Sequence, residues 1–147
     1  MDKNTILISA IVLFKEVQGK TSWFILNESE DAGWEFPKVI VRKGESSVRA
    51  AIRITGEKGG MTTKVLEEVG RVNSVKITDK KTIPQRLIYY IMVLKASSKE
   101  AFGFGESLWL EYSKAGSKLT SKKDKAMLKS ASDYLKKWKK DHPGRKL

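Results

Sequence analysis

Short apolar runs alternate along this chain with two amphipathic helical segments, and this order is the feature that most limits its fold. The runs are rich in β-branched and aromatic residues, which is typical of buried strands. Residues 39–41 also have strand composition, although a Lys43-Gly44-Glu45 turn follows them directly. The clearer strand candidates are residues 5–14, 23–26, 65–75, 86–95 and 107–110. This order predicts an α/β fold in which helices cover a mixed β-sheet.

The first helical segment lies near the middle of the chain. Ser46 or Ser47 can cap its start, and apolar residues then recur at helical spacing. Gly59 and Gly60 end it, because glycine readily adopts the left-handed conformation found after a helix. Gly56 lies inside this helix, where glycine costs about 1 kcal/mol relative to alanine, so we expect a packing or backbone reason for it.

The last helix is predicted over residues 121–140. Ser121 with Asp124 three residues later resembles a capping box. Its apolar residues form one stripe, and its lysines fall mostly on the other side. The candidates for nucleic-acid contact on that side are Lys122, Lys125, Lys129, Lys136 and Lys140.

The charge of the chain is concentrated towards its C-terminal end. The formal net charge is +12, and residues 113–147 contain 12 Lys and Arg against three Asp. Such an excess favours a polyanionic partner such as nucleic acid or a ribonucleoprotein. It is equally consistent with a solvated lysine-rich face that keeps the protein soluble.

Length and cysteine content set further limits. A chain of 147 residues fits one domain spanning residues 1–147. The absence of cysteine excludes disulfides, thiolate zinc sites and cysteine nucleophiles, and it fits a cytoplasmic protein. The first apolar run, residues 6–14, is too short to span a membrane and is not followed by a signal-type cleavage site, so we expect no membrane association.

Residues 34–61 contain a spaced motif. Trp34-Glu-Phe-Pro-Lys38 precedes Val39, and Glu45, Arg53 and Met61 follow at intervals that match G-x5-E-x7-R-E-U-x-E-E-x-G-U, where U is apolar. This pattern resembles the box of the Nudix hydrolase superfamily, notably its MutT-like and dinucleoside-polyphosphate hydrolase members. Residues 106–110, Glu-Ser-Leu-Trp-Leu, are similar to a later strand of the family. The resemblance implies a Nudix fold, with a mixed β-sheet sandwiched between helices (α/β/α).

The box, residues 39–61, is degenerate where the family binds metal. Its three helical glutamates, which hold Mg²⁺ in the family, correspond here to Ile54, Glu57 and Lys58. An ammonium about 4 Å from a divalent cation would be repelled by at most roughly 8 kcal/mol at an effective dielectric of about 20. Only Glu57 therefore remains as a metal ligand, and Val39 replaces the first glycine of the box.

The resemblance also assigns roles to individual residues. Glu45 and Arg53 correspond to a structural pair that braces the loop before the helix. Glu57 and Glu106 are the residual catalytic candidates, although Glu57 could equally pair with Arg53 and Glu106 could be a solvated strand-end residue. The candidates for substrate or phosphate binding are Lys38, Arg86 and Tyr89. Tyr89 and Tyr90 are adjacent on a strand, so only one of them can face a pocket.

Three functions are consistent with these observations. The leading hypothesis is a weak or inactive Nudix-fold protein that binds a nucleotide, RNA or a ribonucleoprotein. The first alternative is an active pyrophosphohydrolase acting on nucleoside-diphosphate-linked substrates, with Mg²⁺ or Mn²⁺ as cofactor. The second is a protein-interaction module in which the former catalytic cleft is unused.

Overall fold

The computed structural model describes residues 4–28, 33–98 and 102–147. Six strands, three α-helices and one 3-10 turn make up its regular structure within those ranges. In chain order they are β1 (Ile6–Val17), β2 (Lys20–Asn27), β3 (Lys38–Ile40), α1 (Ser47–Gly59), β4 (Met61–Ile77), β5 (Thr82–Ser97), the 3-10 turn (Phe102–Phe104), β6 (Glu106–Leu110), α2 (Tyr112–Lys118) and α3 (Lys122–Asp141).

The strands form one mixed sheet in the order β4-β5-β1-β2-β6, and β3 pairs with β1 outside this path. β1 and β5 are parallel, whereas the other paired strands are antiparallel. β3 pairs with the first half of β1 and β2 with its second half. β1 therefore lies at the centre of the sheet, and the loop that precedes α1 starts beside it.

The two faces of the sheet carry separate hydrophobic cores. α1 packs on one face, where Ile54 and Phe104 join side chains such as Tyr90 of β5. α2 and α3 cover the other face, where Leu128 and Leu135 of α3 pack around side chains that include Tyr89. Alternate residues of a strand point to opposite faces. The structure thus confirms an α/β/α sandwich and separates the two tyrosines as expected.

Capping residues define both long helices. Ser46 accepts a hydrogen bond from the backbone N–H of Arg49 at the start of α1, and Gly60 ends that helix at φ 59°. Ser121 accepts from the backbone N–H groups of Lys123 and Asp124 at the start of α3. Each cap satisfies donors that the first helical turn leaves free. The helix bounds agree with those predicted from the sequence to within about two residues.

Two local features complete the fold. The segment around Trp34 makes only isolated bridges, to Leu26 through Glu35 and to Leu119 through Trp34 itself. The sequence did not indicate α2, whose residues Tyr-Ser-Lys-Ala-Gly-Ser-Lys contain poor helix formers and whose N-cap Glu111 makes no side-chain cap. Packing of Ala115 and Leu119 in the core under α2 and α3 accounts for this helix better than propensity does.

None of the helices in the described part of the chain is long and apolar enough to cross a membrane.

Candidate functional site

The loop between β3 and α1 is held by Glu45 and Arg53. Arg53 donates from Nε to Glu45 Oε2 at 2.7 Å and from Nη2 to Oε1 at 3.0 Å. Its Nη2 also donates to the carbonyl oxygen of Ile40 at 3.2 Å, and the Arg42 backbone N–H donates to Glu45 Oε1. A bidentate guanidinium–carboxylate pair has a fixed geometry. The pair therefore ties the start of the loop, its turn and the middle of α1 together.

This arrangement also changes the acidity of Glu45. The hydrogen bond from the Arg53 side chain, helped by the Arg42 backbone N–H, lowers the pKa of Glu45 from 4.5 to about 2. The same contact raises the pKa of Arg53. Both hydrogen bonds favour the charged carboxylate. Glu45 is thus ionised across the physiological pH range, and its negative charge is paired with the guanidinium of Arg53.

The three positions on α1 that the resemblance aligns with metal ligands have different surroundings. Ile54 is 5% exposed and packs in the core beneath α1. Glu57 is exposed, and its Oε2 lies 3.7 Å from Arg53 Nη1, one helical turn away. Lys58 Nζ lies 3.6 Å from Glu28 Oε1. The one retained carboxylate therefore faces a guanidinium, and an ammonium stands beside it.

These side chains do not fit a divalent metal ion. Mg²⁺ requires near-octahedral oxygen coordination and is held through carboxylates and substrate phosphates. Within residues 4–28, 33–98 and 102–147, no three acidic, histidine or cysteine side chains lie close enough together to hold a metal ion. Val39, at the first position of the box, packs against the α1 core, so that position serves the fold.

Glu106 is the first residue of β6 and is exposed. It follows the 3-10 turn, whose Gly103 lies so near Lys58 that an added Cβ would come within 2.7 Å of the Lys58 Cα. Its register partner on β2 is Asn27, next to Glu28. Glu106 is thus carried on the segment that packs against the end of α1, close in the chain to the turn that contacts Lys58.

Lys38 and Tyr89 meet at a buried carboxylate that the sequence reasoning treated only as a cap residue. Asp124 accepts from Tyr89 Oη at 2.7 Å, from Lys38 Nζ at 2.9 Å and from the backbone N–H of Phe36 at 3.2 Å. Tyr89 is 1% exposed. Burial and the Asp124 charge raise the pKa of the Tyr89 phenol above its usual value.

This network holds Tyr89, a candidate for substrate or phosphate binding, inside the core. A ring enclosed between the sheet and α3 has no free face on which a base could stack, and the hydroxyl is already donated to Asp124. Lys38 is half-buried and is held by the same carboxylate and by Glu35. The Ser121–Asp124 spacing indicated a helix start correctly, but it gave no sign that the aspartate points into the core.

Arg86 lies apart from Lys38 and Tyr89. Its Nε donates to Asn73 Oδ1 at 3.3 Å across the β4–β5 pair. By the alternation of side chains along β5, it shares the face of Tyr90, which α1 covers. The three candidates for phosphate contact are therefore divided between the two faces of the sheet.

The five candidate lysines of α3 form one exposed stripe, the lysine stripe, made of Lys122, Lys125, Lys129, Lys136 and Lys140. Steps of three, four, seven and four residues keep them on one side of a helix, over a length of about 27 Å. Within the stripe, Lys129 pairs with Asp133 at 2.9 Å, which raises the pKa of Lys129. The buried residues of α3, Leu128 among them, face the sheet.

Comparison with solved structures identifies the fold. The C. elegans Ap4A hydrolase in a binary complex superposes with a TM-score of 0.72 at 21% identity, covering 90% of this chain and 98% of that chain. The NUDIX domain of Shewanella oneidensis NrtR, complexed with ADP ribose, gives a TM-score of 0.70 at 13% identity over 91% and 90% of the two chains. The E. coli dihydroneopterin triphosphate pyrophosphohydrolase gives 0.65 at 14% identity over 84% and 92%.

Comparison of sequences adds one relative. No protein-family model matches the chain. The MutT4 protein of Mycobacterium tuberculosis (strain CDC 1551 / Oshkosh) is 25% identical over 112 residues, which are 75% of this chain and 45% of that protein. The match thus spans less than half of the relative's length.

Fold and site together define an α/β/α domain in which Glu45 and Arg53 brace the loop before α1. The chain has the Nudix fold, which is the fold that the resemblance of the box implied.

Proposed function

We propose that this chain is a Nudix-fold module that binds a nucleotide or RNA and does not carry out metal-dependent hydrolysis. The observation that carries the proposal is the state of the three metal positions on α1. Ile54 belongs to the core, Glu57 faces Arg53, and Lys58 faces Glu28. This side of α1 offers one carboxylate, and that carboxylate is paired with a guanidinium. It therefore lacks the oxygen ligands that metal-dependent hydrolysis of a pyrophosphate requires, whether one or two metal ions take part.

The charge of this region supports direct binding of phosphate groups. The loop before α1 and the helix itself contain more cations than acids: Arg42, Lys43, Arg49, Arg53 and Lys58 against Glu45 and Glu57. A face that carried the family's acids would repel phosphate unless metal ions were present. Here the surplus of cations attracts phosphate without them. The similarity to an Ap4A hydrolase and to a domain complexed with ADP ribose also favours a nucleotide-type ligand.

The lysine stripe extends the same argument to RNA. Five exposed lysines over about 27 Å offer a linear cationic surface, and only Lys129 has an acidic partner on α3 within salt-bridge distance in the described residues. Contacts of ammonium groups with a phosphate backbone are independent of sequence and release counterions. RNA bound through this stripe is therefore expected to dissociate readily as salt is raised.

The active pyrophosphohydrolase is the competing function, and a direct assay separates the two. A panel of nucleoside-diphosphate derivatives, including dinucleoside polyphosphates, is incubated with Mg²⁺ and separately with Mn²⁺, and the nucleotide products are separated by chromatography and measured. We expect no product above that of a buffer blank with either metal. Turnover that a Glu57→Gln or Glu106→Gln substitution abolishes would overturn the binding-module proposal.

RNA binding is tested by the dependence of affinity on salt concentration. Replacing Lys136 and Lys140 by alanine should reduce the magnitude of the slope of log K against log salt by roughly 1.4–1.8, because each phosphate contact contributes about 0.7–0.9 to that slope. The matched control replaces Lys80 and Lys81, which removes the same charge from the β4–β5 turn. Equal slopes for the two variants, or no RNA binding by the unaltered chain, would reject the stripe as an RNA surface.

A further inference from the structure

A second concave site lies at the end of α3, away from the loop and helix of the box. It is a cavity of about 510 Å³ enclosed by the β1–β2 turn, the later part of β5, the last turn of α3 and the residues that follow it. The turn residues Gln18 and Gly19 both have positive φ, 52° and 76°, as a tight hairpin requires. Sites for small organic ligands commonly have volumes of about 300–1,000 Å³.

One wall of this cavity is apolar and aromatic. Val93, Leu94, Trp138 and Leu147 contribute to its lining. The imidazole of His142 stacks on the Trp138 indole with ring centroids 4.5 Å apart and planes at 17°, and His142 Nδ1 lies 2.9 Å from the Trp138 carbonyl oxygen. The stack holds both rings in position at the side of the cavity. A planar, partly apolar group would contact this wall.

The remaining lining is cationic. Lys139, Arg145 and Lys146 line the cavity together with one acid, Glu16. Glu16 is already paired with Lys139 at 3.0 Å. Arg145 and Lys146 are exposed, and no carboxylate in the described ranges lies within salt-bridge distance of either. The cavity therefore joins an aromatic wall to two available positive charges.

We propose that this cavity binds a nucleoside monophosphate, with the phosphate on Arg145 and Lys146 and the nucleoside against the wall of Trp138 and Leu147. Arg and Lys are the side chains that recognise phosphate, and the apolar wall supplies contact area for a base or ribose. The site uses no residue of the box. It therefore does not rest on the function proposed for α1 and the lysine stripe.

His142 provides a direct probe because it is the only histidine in the chain. Its imidazole C–H signal in proton NMR needs no assignment, and it lies in the cavity wall. The intact chain is titrated with AMP, with adenosine and with inorganic phosphate, at constant pH and ionic strength. We expect a saturable shift of the His142 signal with AMP, at an affinity at least tenfold higher than with adenosine or with phosphate alone.

Substitutions then test the phosphate contacts. Arg145→Ala with Lys146→Ala should weaken AMP binding at least tenfold. Lys80→Ala with Lys81→Ala removes equal charge from the exposed turn between β4 and β5 and should leave the affinity unchanged. A Lys58→Glu variant should retain the His142 shift even if nucleotide binding near α1 is lost. Any of three results would overturn the proposal. One is that millimolar AMP gives no saturable shift, and another is that AMP binds no more tightly than phosphate or adenosine. The third is that the two double substitutions have equal effects.

Discussion

Replacing Asp124 by alanine removes the acceptor at the centre of the buried network. The Asp124 side chain is 1% exposed, and it receives hydrogen bonds from Tyr89, from Lys38 and from the backbone N–H of Phe36. Tyr89 and Phe36 are themselves fully enclosed. Their donors would lose their partner in a place that water does not reach. Lys38 would lose its carboxylate, although it is 23% exposed and can be partly rehydrated.

The size of the effect follows from these three contacts. Each donor left unsatisfied in the interior costs about 1–3 kcal/mol. Breaking a buried charge pair by removing one partner costs roughly 3–5 kcal/mol. The cost of the two unsatisfied buried donors and the cost of the broken charge pair both indicate that Asp124→Ala lowers the free energy of unfolding by about 3–5 kcal/mol. For a domain of this size that corresponds to a fall in Tm of roughly 6–20 °C.

Urea unfolding followed by tryptophan fluorescence, together with calorimetry, measures this cost. The matched control is Asp133→Ala in the same helix, which removes an exposed aspartate paired with Lys129 and shares the gain in helix propensity. The control should change the free energy of unfolding by less than about 0.5 kcal/mol. Asp124→Asn, which keeps one acceptor, should fall between them. Equal losses for Asp124→Ala and Asp133→Ala would refute the reasoning.

Four other outcomes are expected. Because the folded-state pKa of Glu45 is lowered, the ionised carboxylate contributes its full stabilisation only above the unfolded-state pKa of 4.5 and loses it as the pH falls towards about 2. The loss of stability caused by Glu45→Gln should therefore shrink over that pH range. Urea titrations across the range measure the change. Gly56→Ala should raise the free energy of unfolding by about 0.5–1 kcal/mol, because an added Cβ meets only one atom, at 3.9 Å. Gly103→Ala should lower the free energy of unfolding by about 1–3 kcal/mol, because its Cβ would clash with the Lys58 backbone. Thermal unfolding ranks the two glycine variants, and a change of the same sign in both would contradict the packing. Millimolar Mg²⁺ or Mn²⁺ should leave Tm unchanged in calorimetry, whereas a site at a hundredfold excess over its Kd would raise it by roughly 5–10 °C.

The site could be predicted from sequence only where its parts are near one another in the chain. Glu45 and Arg53 are eight residues apart, and the resemblance of the box to the Nudix pattern implied that they form a pair. The i, i+4 pairing of Arg53 and Glu57 follows from helix geometry alone. The contact between Lys58 and Glu28 does not, because it depends on how β2 lies beside the end of α1.

Gly56 illustrates the opposite error. Glycine inside a helix suggested a packing or backbone reason, yet an added Cβ there would meet only one atom, at an ordinary contact distance of 3.9 Å. The tight approach is at Gly103, in a loop where sequence reasoning had no reason to expect it. Clearance around a glycine is set by the elements that pack against it, and those come from distant parts of the chain.

The sequence by itself determined the order of the main strands and of the two long helices, the caps of α1 and α3, and the Nudix-type spacing of the box. These depend on periodicity and short-range contacts, which neighbouring residues define. The tertiary structure alone decided that Asp124, 86 residues from Lys38 and 35 from Tyr89, ties both to the core, and that a cationic cavity forms at the end of α3. Packing across the sheet creates both features, because it brings together side chains whose separation along the chain carries no periodic signal.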